Sequence, residues 1–269
     1  MDLREICKDI RIDTLKCIGS IGVGHIGGSL SIVEILASLY FKHMKVDPKN
    51  PKMEGRDRLI VSKGHAGPVV YATLANRGYF DKDLLLTLNK AGTLLPSHCD
   101  MNKTPGIDMT TGSLGQGFSC AVGVALGSRL KKDGATVYAI IGDGESQEGQ
   151  IWEAAMYASQ AKLNNLIAFT DYNRMQIDGN TDDINSLEPL DKKWESFGWN
   201  TIVIDGHDLD QIDAAILNAK SQDRPTMIIA KTIKGKGVKS IEEKGFACHS
   251  LSLSVEYVEA AIEEIRRAN

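Results

Sequence analysis

The chain has 269 residues, a quarter of them charged, and a formal net charge of −4 at pH 7. That length can bury one substantial core, so a single α/β domain over 1–269 is expected. A small negative charge supplies no basic field for nucleic acid, no apolar run approaches a bilayer span, and Met1-Asp2-Leu3-Arg4-Glu5 lacks a signal core; a soluble, cytoplasmic protein is expected.

In chain order, Ile6, Ile10 and Leu15 predict an opening helix over 3–18. Gly19 to Gly28 breaks it, and 30–41, apolar on most faces, predicts a helix buried against a sheet. Arg58 to Ser62 reads as a short buried strand opening into Lys63-Gly64-His65, with helices following over 68–76 and 82–88. A glycine-rich turn at 112–117 runs into a small-residue helix over 118–131, where Ala121, Gly123, Ala125 and Gly127 permit close packing on a neighbour such as another subunit. Aliphatic and β-branched runs at 136–141, 166–171, 200–204 and 226–231 predict strands, separated by helices over 148–162 and 209–220. Val258, Ile262 and Ile265 predict a helix within the tail, 252–269. The alternation implies an α/β fold, a mainly parallel sheet flanked by helices, with ligand loops at its carboxyl edge. No repeat, low-complexity tract or linker divides the chain.

Cys7, Cys17, Cys99, Cys120 and Cys248 are odd in number and hold no Cys-x-x-Cys pair, which fits neither a disulfide framework nor a zinc site. Gly142-Asp143-Gly144 ends a predicted strand, putting a carboxylate at the sheet edge where glycines let a diphosphate approach the backbone. One helix and one returning strand later stands Asn173, so the two side chains fall at neighbouring strand ends and can share one hard ion. Alone, Gly-Asp-Gly is more often a turn than a ligand site. Favourable charge at a helix N-terminus accounts for Glu148 without any catalytic role, and for Ile177 and Ile233 alone core packing is by far the commoner explanation. Gly22 to Gly27 has dinucleotide-fingerprint spacing but follows a helix, not a strand.

The run Gly142 to Ala155, with Asn173 after it, resembles the thiamine diphosphate motif of transketolases. The likeness continues through Val23-Gly24-His25, Ser62-Lys63-Gly64-His65, Pro96-Ser97-His98, Thr111-Gly112-Ser113-Leu114-Gly115, Gln176-Ile177-Asp178-Gly179, Asp205-Gly206-His207-Asp208 and Lys231-Thr232-Ile233-Lys234-Gly235. It implies a thiamin diphosphate-binding fold of the diphosphate-binding type. By this resemblance Asp143 and Asn173, with the Met175 carbonyl, are ligands of magnesium, for which calcium can substitute. Gly112, Ser113, Leu114 and Gly144 contact the cofactor through the backbone, and Ile177 and Ile233 through apolar atoms. His65 and His249 reach diphosphate and substrate, and His25 and His98 face sugar hydroxyls. His43 and His207 are read as structural. Glu148 and Glu153 match an acidic network that crosses the dimer interface in transketolases.

Three words depart from the family pattern: Ile26 and Cys99 stand where proline is usual, and Ser250 where glycine is usual. The change frees φ at the first two and restricts it at the third, putting the aim of the neighbouring imidazoles in question. The resemblance further implies ketol transfer between sugar phosphates, completed by a separate pyrimidine-binding, C-terminal-type subunit in a two-plus-two assembly. The alternatives are a subunit of another thiamine diphosphate enzyme, of 2-oxo acid dehydrogenase α or deoxyxylulose phosphate synthase type, and a non-enzymatic phosphate- or nucleotide-binding α/β protein.

Overall fold

The aliphatic runs pair as expected. In the computed structural model, which describes residues 2–267, strands β1 (Arg58–Val61), β2 (Val137–Gly142), β3 (Leu166–Tyr172), β4 (Asn200–Asp205) and β5 (Thr226–Lys231) form one parallel sheet. Their order is β1-β2-β3-β5-β4, so β5 inserts between β3 and the strand that precedes it in sequence. Gly142 is in register with Asp171, which puts the ends of β2 and β3 side by side. All seven residues of β3 are buried, as befits the central strand of a sheet covered on both faces.

Successive side chains point to opposite faces and build two cores. Tyr138, Ile140, Ile167, Phe169 and Ile228 pack beneath α1 (Leu3–Gly19), α2 (Gly27–Leu30), α3 (Val33–Ser38) and α4 (Gly67–Arg77). Val137, Ala139, Ile141, Ala168 and Ile229 face α5 (Gln116–Lys131), α6 (Gly149–Gln160) and α7 (Leu190–Ser196). There Trp194 lies 5.0 Å, centroid to centroid, from both Trp152 and Trp199. Helices α8 (Leu209–Lys220) and α9 (Val255–Arg267) complete the α1 face.

Two expectations need correction. Residues 30–41 are not one helix: the chain breaks at Ser31-Ile32, and a wider turn at Leu39–His43 follows α3. At the break the Ser31 hydroxyl lies 2.6 Å from Asp171 Oδ2, so a buried carboxylate recruits a side chain that helix periodicity cannot assign. Residues Lys82–Thr87 wind as a tight 3-10 segment, capped by Asp81, whose carboxylate accepts from Asp83 N–H. The tail helix lies where Val258, Ile262 and Ile265 place it, over Val255–Arg267, after Leu251–Ser252 pairs antiparallel with Val23–Gly24; residues 268–269 of the tail lie outside the described residues. The helix α7 was not foreseen, its seven residues being too short for a periodic signal. No helix among the described residues is long and apolar enough to cross a membrane.

Candidate active site

Strands β1, β2, β3 and β5 end around one cavity of about 450 Å³, within the range of small-molecule sites. Asp143 follows β2 directly and is 2% exposed. Its Oδ1 accepts from Gly144 N–H at 2.7 Å and its Oδ2 from Arg174 N–H. Burial, with the Asp171 carboxylate beside it, pushes the Asp143 carboxyl up to about 7. Asn173 follows β3; its Oδ1 accepts from Met175 N–H at 3.1 Å and its Nδ2 donates to Asp171 Oδ2 at 3.2 Å. Asp143, Asn173 and Met175 all line the cavity, so a carboxylate, a side-chain amide and a backbone carbonyl belong to residues around one space. An all-oxygen donor set suits a hard cation, and a buried carboxyl that resists ionisation gains most from one. No cluster of three or more His, Cys, Asp or Glu that could hold a metal exists among the described residues.

Four imidazoles cover the other wall. Ring centroids of His25 lie 5.2 Å from His65, 5.9 Å from His98 and 5.2 Å from His249, and His65 lies 5.0 Å from His249. Gly64 makes the placement of His65 possible, since a Cβ there would lie 2.4 Å from Thr111 O. Burial and the Lys63 ammonium hold His65 down to about 2, and burial with Lys234 holds His249 down to about 4. His25 is lowered by burial and by His98. The rings of His25, His65 and His249 are therefore neutral near pH 7, each with one donor and one acceptor nitrogen.

The departures from the family words do not scatter the rings. Ile26 N–H donates to Gly24 O at 3.0 Å, a bond proline lacks, and Cys99 O accepts from Thr111 N–H at 3.1 Å. Ser250 has φ −137°, ordinary extended backbone that needs no glycine. Cys99 and Cys248 are buried, and burial pushes the Cys99 thiol up to about 12 and raises Cys248, so neither is a nucleophile near neutral pH.

Gly112, Leu114, Gly144 and Ile177 line the same cavity, and Glu148, exposed at the start of α6, stands at its mouth. Ser113 is exposed between Gly112 and Leu114 but is not on the cavity wall. Ile233 is 43% exposed and faces a neighbouring depression with Val203 and His207. Glu153 is exposed on α6 outside the cavity, and His43 lies 2.9 Å from Asp213, far from the site lining.

Charged groups that periodicity does not single out complete the floor. Asp171 is 1% exposed and accepts from Lys63 Nζ at 2.6 Å, from Ser31 Oγ at 2.6 Å and from Thr232 Oγ1. Lys63 Nζ also donates to Gly28 O at 2.7 Å. Glu145 accepts from Ser62 Oγ, from Gly115 N–H at 2.8 Å and from Gly142 N–H at 3.0 Å, tying three of the loops together. Lys234 is 4% exposed, and its Nζ lies 3.4 Å from Met175 O. The available signal was a charged residue closing an otherwise apolar strand word.

The family model described as the transketolase thiamine diphosphate binding domain matches residues 3–266. The chain belongs to the transketolase family. It is 58% identical over 268 residues to a 6-deoxy-6-sulfo-D-fructose transketolase subunit of Clostridium sp. (strain MSTE9), covering 99% of this chain and 97% of that protein. It is 38% identical to an apulose-4-phosphate transketolase subunit of Phocaeicola vulgatus, covering 91% of this chain and 87% of that one. The crystal structure of the transketolase from Campylobacter jejuni superimposes with a TM-score of 0.92 at 31% identity, over 99% of this chain and 43% of that chain. The chain thus spans under half of a single-chain transketolase but nearly all of the relatives named as subunits. The parallel sheet is that of the family's thiamine diphosphate-binding domain, and the enzyme class is ketol transfer.

Proposed function

We propose that this transketolase-family protein is the diphosphate-binding subunit of a two-chain enzyme that moves a two-carbon ketol unit from a ketose to an aldose. The observation that carries the reading is that one cavity is lined both by the clustered imidazoles of His25, His65, His98 and His249 and by the oxygen-bearing residues Asp143, Asn173 and Met175. Asp143, Asn173 and the Met175 carbonyl would hold magnesium, or calcium in its place, and with it the diphosphate. His65, His249 and the Lys234 ammonium face the diphosphate; Gly112, Ser113, Leu114 and Gly144 offer backbone groups, and Ile177 and Ile233 apolar contact. Thiamine diphosphate, when bound, supplies the electron sink for breaking and remaking a carbon–carbon bond. His25 and His98 are the rings that would donate to, or take a proton from, sugar hydroxyl oxygens. His249, whose ring lies 5.0 Å from His65 and 5.2 Å from His25, is near enough to serve both ends.

Near-complete coverage of relatives named as subunits supports a separate partner carrying the pyrimidine-binding domain. Helix α5 supports self-association as well: Gly123 and Gly127 have open space before them, and Leu130, Met156 and Tyr157 beside them on α5 and α6 are exposed. Glu148, at the mouth, is placed to enter an acidic contact between subunits in a two-plus-two complex. Five unpaired cysteines support a reducing, cytoplasmic setting.

The relative at 58% identity favours a 6-deoxy-6-sulfo ketose as donor over an ordinary sugar phosphate. Co-expression with the product of the adjacent reading frame, then assay of ketol transfer to an aldose phosphate from 6-deoxy-6-sulfo-D-fructose and from xylulose 5-phosphate, tests both levels. Transfer from xylulose 5-phosphate alone would reject the sulfonated donor and keep the enzyme class. A complex active on 2-oxo acids but on neither ketose would overturn the function.

A further inference from the structure

His207, in the turn after β4, has no hydrogen bond to the residues lining the active-site cavity among the described residues, yet its ring joins separate elements of the fold. Arg11 of α1 and Glu34 of α3, 7% exposed each, form an ion pair. Glu34 Oε2 lies 3.0 Å from His207 Nδ1, and His207 Nε2 accepts from Ile233 N–H at 2.8 Å. A ring nitrogen that accepts from a backbone N–H carries no proton, so the proton sits on Nδ1 and is donated to Glu34. Tautomer and ring orientation are both fixed.

The same guanidinium donates from Nε to Lys236 O at 3.0 Å. Gly237, at φ +93°, passes so close that a Cβ there would lie 2.6 Å from Arg11 Nε. One partly buried relay thus grips the segment from Ile233 to Gly237 at both ends, while Gly235 N–H donates to Gly27 O at 3.0 Å between them. Lys234 stands inside the grip. Its buried stem packs beside Gly27 and ends in an ammonium with one long contact, 3.4 Å to Met175 O, so the path of its backbone past Gly27 sets where the charge sits.

We propose that His207, oriented by Glu34 and Arg11, is a positioning residue that sets the backbone from Ile233 to Gly237 and so holds Lys234 against the anionic end of the bound cofactor. The inference rests on the diphosphate reading above. Removing the relay leaves the fold of the sheet intact but lets the segment drift, and a displacement of an ångström is enough to loosen a charge-assisted contact.

The test is thiamine diphosphate affinity in the presence of magnesium, measured by calorimetry on the complex with the partner chain, with the apo melting temperature recorded alongside. His207→Asn keeps a partner for Glu34 but falls short of Ile233, and is expected to weaken cofactor binding about tenfold; His207→Gln, whose amide oxygen reaches the Nε2 position, is expected to restore it to within about threefold. Lys234→Met is expected to weaken binding by a similar factor, and the double variant His207→Asn with Lys234→Met to bind no more weakly than Lys234→Met alone. Losses that multiply in the double variant, equal losses in the Asn and Gln variants, or Lys234→Met binding like wild type would overturn the proposal while leaving the cofactor reading standing. Failure of the wild-type complex to bind thiamine diphosphate would overturn the cofactor reading itself.

Discussion

Asp143→Asn separates the cost of burying a carboxylate from its use. In the folded protein this carboxyl is held up to about 7, against 3.8 for an ordinary aspartate. A raised carboxyl stabilises the fold fully below the ordinary value, and that contribution is lost as pH rises through the folded value, so the window runs from about pH 4 to about pH 7. Over the accessible part, pH 5.5 to 7.5, the loss is about 2 kcal/mol, from roughly 1.4 kcal/mol per pH unit over about one and a half units. Asparagine does not ionise. The stability of the variant relative to wild type, from urea titrations of the chain without metal, should therefore rise by about 2 kcal/mol between those pH values, whatever constant offset arises from an amide NH₂ facing Gly144 N–H or Arg174 N–H. Using the difference cancels the histidines, which titrate equally in both proteins. With magnesium and thiamine diphosphate the order should reverse, because only the carboxylate gains from the cation. Parallel pH profiles for the two proteins would refute the argument that Asp143 is a buried, electrostatically costly carboxyl; an unaltered cofactor-induced stabilisation in the variant would refute its role as ligand.

Other outcomes follow from the same geometry. His25→Ala and His98→Ala should leave cofactor affinity nearly unchanged and lower turnover of the complex by roughly ten- to a thousand-fold, and equal loss of cofactor binding in both would make the rings structural. His65 and His249, held down to about 2 and about 4, are neutral in the fold but take up protons when unfolded; their contribution is complete above about pH 6.5 and falls away as pH drops toward their folded values, so replacing both by Gln should flatten the acid side of the stability profile. Ser250→Gly should lower stability by about 0.5–1 kcal/mol without raising turnover, since extended backbone at φ −137° makes no use of glycine; a gain in turnover would contradict that. The chain purified alone should show no ketol transfer, and full activity without a partner would end the two-chain reading.

How much of this was legible in advance depended on the range of the interaction involved. Strands at 137–142, 166–172, 200–205 and 226–231 follow from runs of apolar, β-branched residues, and the alternation with helices implies a parallel sheet; each is a local pattern. That Asp143 and Asn173 end adjacent strands follows too, because one helix is the shortest crossover between parallel neighbours. Convergence of His25, His65, His98 and His249 was indicated by likeness to a family and not by spacing, since they come from loops spread over most of the chain. Only the tertiary structure decided that β5 slides between β3 and β4, which carries Thr232 to Asp171 and Lys234 to Met175. Only it paired Lys63 with Asp171 and broke the helix at Ser31 to serve the same carboxylate. Hydrophobic periodicity reports which face of an element is buried; it carries no information about which buried charge another distant segment will neutralise, and in a low-dielectric core that pairing outweighs a local helical preference.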